Sequence, residues 1–174
     1  VNILSLCFVV GFGFSVAGST LVGQALGADA QEEAMVSGWR ALRLAMGSMT
    51  VVGIAIILAA EPIAAFMIDD PEVIAYTVSF VYILGAVQPL MAIEFALGGA
   101  LRGAGDTRFP LKATMAGLLG MRCLLAVIFA ALGLSVEWIY AALVGDYALK
   151  GWMLTRRFRS GRWRNLQMGS TPAA

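Results

Sequence analysis

A chain of 174 residues that is 60% hydrophobic and only 13% charged is not an ordinary water-soluble domain, since such domains are about 45–50% apolar and about 25% charged. The formal net charge is +1 and no basic face interleaved with aromatics is present, which excludes a nucleic-acid binder. Histidine is absent, which removes His-based triads and His metal sites, and the two cysteines, Cys7 and Cys123, lie in apolar runs and read as free, buried residues.

The composition predicts an all-α polytopic membrane bundle of five transmembrane helices, because about 20 apolar residues cross a bilayer. Val1 to Ala28 carries no charge in 28 positions and is rich in small residues, including Gly11, Gly18, Ser19, Gly23 and Gly27, which let helices approach closely. Gly23 and Gly27 form a GxxxG, read here as packing inside the bundle. The chain starts within this run at Val1, with no basic n-region before Asp29, so it is expected to be a fragment whose beginning lies upstream. Asp29 to Arg43 is polar and reads as an amphipathic loop or helix on the membrane surface. A second span follows over about Arg40–Ala60, with 17 uncharged residues between Arg43 and Glu61. Glu61 to Glu72 reads as an acidic connector whose apolar middle, Ile63–Ile68, dips into the interface.

The third span, about Val73–Leu101, contains Gln88, Pro89 and Glu94; Pro89 removes a backbone donor and is expected to kink or loosen the helix. The stretch Gly98–Pro110 follows, with four glycines and three charges in 13 positions. Gly103 and Gly105 permit a tight turn, Asp106 can cap a new helix, and Pro110 is tolerated in that helix's first turn. A fourth span covers about Leu111–Leu134 and includes Arg122. Gly133–Glu137 reads as a tight turn. The fifth span, about Val136–Thr155, holds Asp146 and Lys150. A basic segment with an aromatic anchor, Arg156–Arg164, comes next, and the last ten residues, within a tail beginning at Gly161, read as disordered.

Four charges lie inside spans. A charge at mid-bilayer costs about 2.5–3.5 kcal/mol on insertion scales, so such groups face a bundle interior or a cavity. Asp146 and Lys150 are one helical turn apart and form a self-neutralising pair. Arg122 falls at a similar depth and competes with Lys150 for Asp146. Glu94 has no partner at i±3 or i±4, where Leu90, Met91, Leu97 and Gly98 stand. It reads either as a group that carries a proton or binds a cation, or as a partner of Arg102 or Arg122.

Three stretches resemble the multidrug and toxic compound extrusion (MATE) transporters. Gly99-Ala100-Leu101-Arg102-Gly103-Ala104-Gly105-Asp106-Thr107-Arg108, followed by Pro110, is similar to the hinge after that family's tenth helix. Ser15 to Ala28 resembles the end of the eighth helix, and Phe158-Arg159-Ser160-Gly161-Arg162-Trp163 the basic tail. The resemblance implies that the five spans are helices eight to twelve of a twelve-helix protein. In that family two six-helix lobes form a V around a central cavity and export cationic amphipathic drugs in exchange for Na⁺ or H⁺. The implied partners are such drugs, the bilayer and an N-terminal lobe; no cofactor beyond the coupling ion and no metal site is expected. The implied location is the bacterial inner (plasma) membrane. Some members use an aspartate about eight residues before the first glycine of GxLRG; that position is Met91 here, and the acid stands at Glu94. The expected ion, proton or substrate residues are therefore Glu94, Gln88 and Met91.

A related flippase for lipid-linked saccharides shares the implied architecture, and a non-transporting membrane subunit is a further alternative. A membrane enzyme is not expected: Gly13-Phe14-Ser15 invites comparison with an intramembrane serine protease, but no histidine exists to act as base.

Orientation follows from counting. The connectors containing Arg40 and Arg43, then Arg102, Arg108 and Lys112, and the tail with five arginines hold ten positive residues, whereas Glu61–Glu72 and Gly133–Glu137 hold none. The positive-inside rule puts the tail in the cytoplasm. Cysteine-accessibility labelling is expected to find position 160 (Ser160→Cys) cytoplasmic and position 69 (Asp69→Cys) external; labelling of both from one side would refute the five-span reading.

Overall fold

The computed structural model describes residues 2–67, 71–133 and 136–164. Among the described residues every regular element is helical: α1 (Asn2–Gly27), α2 (Gln31–Met67), α3 (Pro71–Gly103), α4 (Arg108–Met115), a π-helical segment (Ala116–Cys123), α5 (Leu124–Ala131) and α6 (Val136–Arg159). The middle three pieces run on without a break, so the expected five rods are present. Four of them, α1, α2, α3 and the 24-residue rod Arg108–Ala131, are long and apolar enough to cross a membrane. The fifth, α6, has 24 residues but falls below that apolarity, because it carries Asp146, Lys150 and three arginines. Asp69 and Asp70 of the acidic connector, part of the Gly133–Glu137 turn and the last ten tail residues lie outside the described residues.

Several boundaries differ from the sequence expectation. The polar segment after Asp29 is not a separate surface element, and Glu61–Met67 is not a connector. Both belong to one 37-residue helix, α2. The reason is that Glu, Ala, Met, Leu and Arg are good helix formers and the segment between Gln31 and Arg43 has no proline to stop them. α3 likewise continues through Pro89. The break before α2 comes from Asp29, whose φ of 57° reverses the chain. Asp tolerates that left-handed conformation. The amide of Ala30 donates to the Ala25 carbonyl at 2.8 Å and that of Asp29 to Leu26 at 3.0 Å, a Schellman closure of α1.

The hinge repeats this device. Gly105, with φ 84°, lets the Asp106 amide reach the Leu101 carbonyl at 2.9 Å and the Gly105 amide reach Arg102 at 3.0 Å. Gly103 does not share the positive φ: it is the last residue of α3, and its lack of a side chain serves packing instead. A Cβ there would strike the Ser19 carbonyl of α1, and one on Gly99 would strike Ser15.

α3 is the central rod, packed against α1, α2 and α6. Lipid tails are as apolar as leucine, so burial alone gives helices no reason to associate inside a bilayer; close van der Waals approach does. Small residues supply it. Besides Gly99 and Gly103 on α1, a Cβ on Gly53 would come within 2.5 Å of the Gly85 carbonyl and one on Gly85 within 2.8 Å of Gly53's. α2 and α3 therefore cross backbone to backbone. A second apolar cluster, with Cys7, Ile56, Ala60 and Val78, closes the far end. Cys7 is buried as expected, but Cys123 is exposed on the π segment.

At the basic end, where the arginines gather, large aromatic side chains are buried instead. Phe158 and Trp163 are fully buried, and burying a large side chain contributes about 1.5–3 kcal/mol. Their rings stack 4.9 Å apart, and Phe158 meets Trp39 edge-on at 5.5 Å over the space left by Gly38. The Trp163 indole donates to the Phe158 carbonyl at 2.8 Å. Trp163 is thus a core residue, not the interfacial anchor that its position after a basic run suggested.

Because the Gly103 contact is with backbone, no rotamer change can relieve a larger residue. Gly103→Ala in the full-length protein is expected to lose about 1–3 kcal/mol through overpacking. Gly47→Ala, where a Cβ meets nothing within 4 Å, is expected to lose nothing and to gain up to about 1 kcal/mol in helix propensity. Thermal unfolding in detergent distinguishes them; equal melting temperatures would show that the α1–α3 approach is not tight.

Candidate functional site

The four intramembrane charges meet at one place, between α3, α6 and the π segment. Lys150 sits between two carboxylates: its Nζ lies 3.0 Å from Asp146 Oδ1 on the same helix and 3.4 Å from Glu94 Oε2 on α3. Arg122 approaches Asp146 Oδ2 from the far side at 3.9 Å. The order is Glu94, Lys150, Asp146, Arg122, alternating in sign and neutral in sum. Asp146 is fully buried, whereas the Glu94 side chain is 24% exposed and the Arg122 side chain 43% exposed, so the row is closed in its middle and open at both ends, and Glu94 is its accessible carboxylate. The Asp146 oxygens are held by ion pairing without an aligned hydrogen bond. Lys150 also lies 4.8 Å from the Tyr147 ring centre.

Glu94 is therefore not isolated, and its partner is neither Arg102 nor Arg122. The i±3 and i±4 rule sees only partners on the same helix; Lys150 comes from another. The expected Asp146–Lys150 pair is present, as is the competition from Arg122.

The π segment makes room for this. A Cβ on Gly117 would strike Asp146 Oδ1 and come within 2.7 Å of Lys150 Cε. Only glycine lets the rod lie against the pair. Single π turns inside α-helices commonly occur at functional sites, and this one carries both Gly117 and Arg122. Sequence reasoning missed Gly117; the only available signal was a small residue one span away from two charges.

Gln88 and Met91 are not part of the cluster. Met91 is fully buried in the core around α3. Gln88 is also buried, and its amide donates to Cys7 Sγ at 3.0 Å and to the Leu84 carbonyl at 3.4 Å, while its Oε1 has no partner.

The hinge residues are placed separately, at the basic end. Leu101, Arg102 and Gly103 close α3, Gly105, Asp106 and Thr107 form the turn, and Arg108 opens α4. Asp106 accepts the Phe109 amide at 3.3 Å, the capping contact expected of it although Thr107 occupies the cap position. Its other oxygen accepts Arg157 Nε at 2.7 Å, which ties the hinge to the end of α6. Arg102 donates to Ser15 Oγ at 2.8 Å. Arg164 pairs with Glu32 at 2.9 Å. The three positive connectors found by counting thus lie together at one end of the bundle. Among the described residues no cluster of His, Cys, Asp and Glu could hold a metal ion.

Comparison with known proteins places this arrangement. The family model described as MatE matches residues 1–128. The chain is 32% identical over 169 residues to a probable multidrug resistance protein NorM of Thermotoga maritima, covering 94% of this chain and 35% of that protein. It is 28% identical over 173 residues to the multidrug resistance protein PmpM of Pseudomonas aeruginosa, covering 99% and 32%. Its fold matches a solved inward-facing conformation of a multidrug resistance MATE family transporter of the MOP superfamily, with a TM-score of 0.75, 20% identity, and coverage of 87% of this chain and 34% of that one. The chain therefore spans about a third of the length of these relatives. On the match of residues 1–128, supported by the hinge and its fold, the chain belongs to the MatE family, the multidrug and toxic compound extrusion transporters.

Proposed function

We propose that this chain is the C-terminal part of a multidrug exporter that expels cationic amphipathic drugs in exchange for Na⁺ or H⁺. It works with an N-terminal lobe, in the bacterial inner membrane with its basic end in the cytoplasm. Support for drug export comes from the multidrug resistance named in the relatives, for the cationic class from the accessible carboxylate Glu94, and for the orientation from the gathering of the positive connectors at one end. The role is transport, with no covalent chemistry.

The observation that carries the reading is the Glu94–Lys150 pair across α3 and α6. Lys150 has two carboxylates to choose from. A proton or Na⁺ arriving at Glu94, the more accessible of the two carboxylates, removes its need for Lys150. The ammonium then stays with Asp146 at the shorter contact, and the α3–α6 link is released. A cationic drug can compete for the same carboxylate, so drug and coupling ion exclude one another, which is the requirement for exchange. A ligand shifts a conformational equilibrium only through its different affinity for the two states; here the difference is whether Lys150 occupies Glu94.

In the full-length protein, Glu94→Gln is expected to cut export of cationic drugs by about fivefold or more, the lower end of typical coupling between two ligands. It should also flatten the pH dependence of export while membrane levels stay normal. Glu94→Asp should retain part of the activity. Export measured in everted vesicles across a pH series checks this; wild-type rate and pH profile in Glu94→Gln would make the residue a bystander.

A further inference from the structure

We propose that the basic end of α6 holds the phosphate headgroup of an anionic phospholipid. The chain builds the site in steps. α6 ends in Arg156-Arg157-Phe158-Arg159, and Gly161, with φ 66°, then reverses the backbone. That turn is fastened by Ser160 Oγ, which donates to the Arg157 carbonyl at 2.7 Å, and it brings Arg162 back beside the helix. The result is a cavity of about 390 Å³ walled by Arg156, Arg157, Arg162, Ser160, Trp152 and Phe109.

Two of the three arginines that wall it, Arg156 and Arg162, are not neutralised by the protein among the described residues. Arg157 is committed to Asp106 and Arg164 to Glu32. Among the described residues, Arg156, Arg159 and Arg162 have no carboxylate within ion-pair distance. Arg156 and Arg162 on the wall of the cavity, with Arg159 on the adjoining groove, favour an anion with several acceptor oxygens, and the planar fork of arginine matches phosphate geometry.

The surroundings select a lipid over a free anion. A second groove, of about 540 Å³, shares Trp152 and Arg156 with the cavity and continues past Ile93 and Gly151, with Arg159 on its rim. Arg156 lies 5.4 Å over the Trp152 ring, which stands exposed at the join. A headgroup in the cavity can therefore send an acyl chain along the groove between α3 and α6, past Trp152, Gly151 and Ile93. Tryptophan and arginine at the end of a membrane span sit at headgroup depth, and each basic residue there attracts anionic lipid by a roughly fivefold gain in affinity. Free phosphate would use the arginines and leave the groove empty.

The test uses the full-length transporter in detergent, with retained lipid counted by native mass spectrometry during titration with phosphatidylglycerol or phosphatidylcholine. Arg156→Gln with Arg162→Gln is expected to weaken phosphatidylglycerol binding about 25-fold, taking fivefold for each arginine, and to leave phosphatidylcholine unchanged. Ile93→Trp, which fills the groove without altering charge, is expected to weaken phosphatidylglycerol as well. Arg40→Gln with Arg43→Gln, exposed arginines on α2 outside both cavities, should bind as wild type. Wild-type binding by the Arg156/Arg162 variant, or an equal loss in the Arg40/Arg43 variant, would overturn the site. Displacement of phosphatidylglycerol by equimolar inorganic phosphate would overturn the lipid assignment in favour of a small-anion site.

Discussion

One ammonium group shared between two carboxylates organises the contact between α3, α6 and the π segment. An ion in a bilayer is tolerated only when it is paired or reaches water. Lys150 answers that constraint for Asp146 and for Glu94 at once. In doing so it draws α6 against α3 and makes room for itself only because Gly117 leaves the facing surface bare. The pairing is also unequal. Asp146 is enclosed and shares a helix with Lys150, whereas Glu94 is reachable and belongs to another helix. An inequality of that kind turns a structural ion pair into one that an incoming cation can open.

The rest of the bundle is built so that this opening need not disturb it. α3 is fixed to α1 and α2 by backbone contacts at Gly99, Gly103, Gly53 and Gly85. Such contacts have no rotamers to adjust and act as rigid seams. α6 is held differently. Its basic end is fastened by Phe158 and Trp163 and by the Asp106–Arg157 pair, while further along it meets α3 through Lys150 and through Tyr147 and Leu154. The packing of Tyr147, Leu154 and Met153 against the core around α3 is apolar, so release of the pair removes the polar part of that contact and leaves the apolar part. The hinge glycine Gly105 therefore serves mainly to aim Asp106 at both α4 and α6.

Helix number and the in-membrane charges were legible in the sequence, because long uncharged runs and isolated charges are one-dimensional signals. The extent of α2 was not. Polar residues at Asp29–Arg43 and Glu61–Pro62 mark where the membrane ends, and a helix can continue past that point into water. For Glu94 the sequence offers Arg102 or Arg122 as a partner and not the Lys150 that the fold supplies, since Lys150 is 56 residues away and no local rule connects them. Met91 stands where the resemblance implies an aspartate in some members, and Gln88 is a polar residue in the same span; Met91 is buried in the core around α3 and Gln88 is buried against Cys7, both away from the Lys150 cluster. Trp163 looked like an interface anchor because the sequence does not reveal that Gly38 leaves a socket for Phe158 beneath it. Gly103 was read for its backbone freedom when its value lies in its missing side chain.

The central claim is that Lys150 is present to neutralise Glu94 across two helices, and a double-mutant cycle on folding stability tests it most directly. Lys150→Met should strand a carboxylate and lower the unfolding temperature of the full-length protein. Adding Glu94→Gln should then restore part of the loss, with a coupling of about 0.5–3 kcal/mol, as for residues in contact. Strictly additive effects of Lys150→Met and Glu94→Gln would contradict the account, because they would mean that the two side chains do not sense each other.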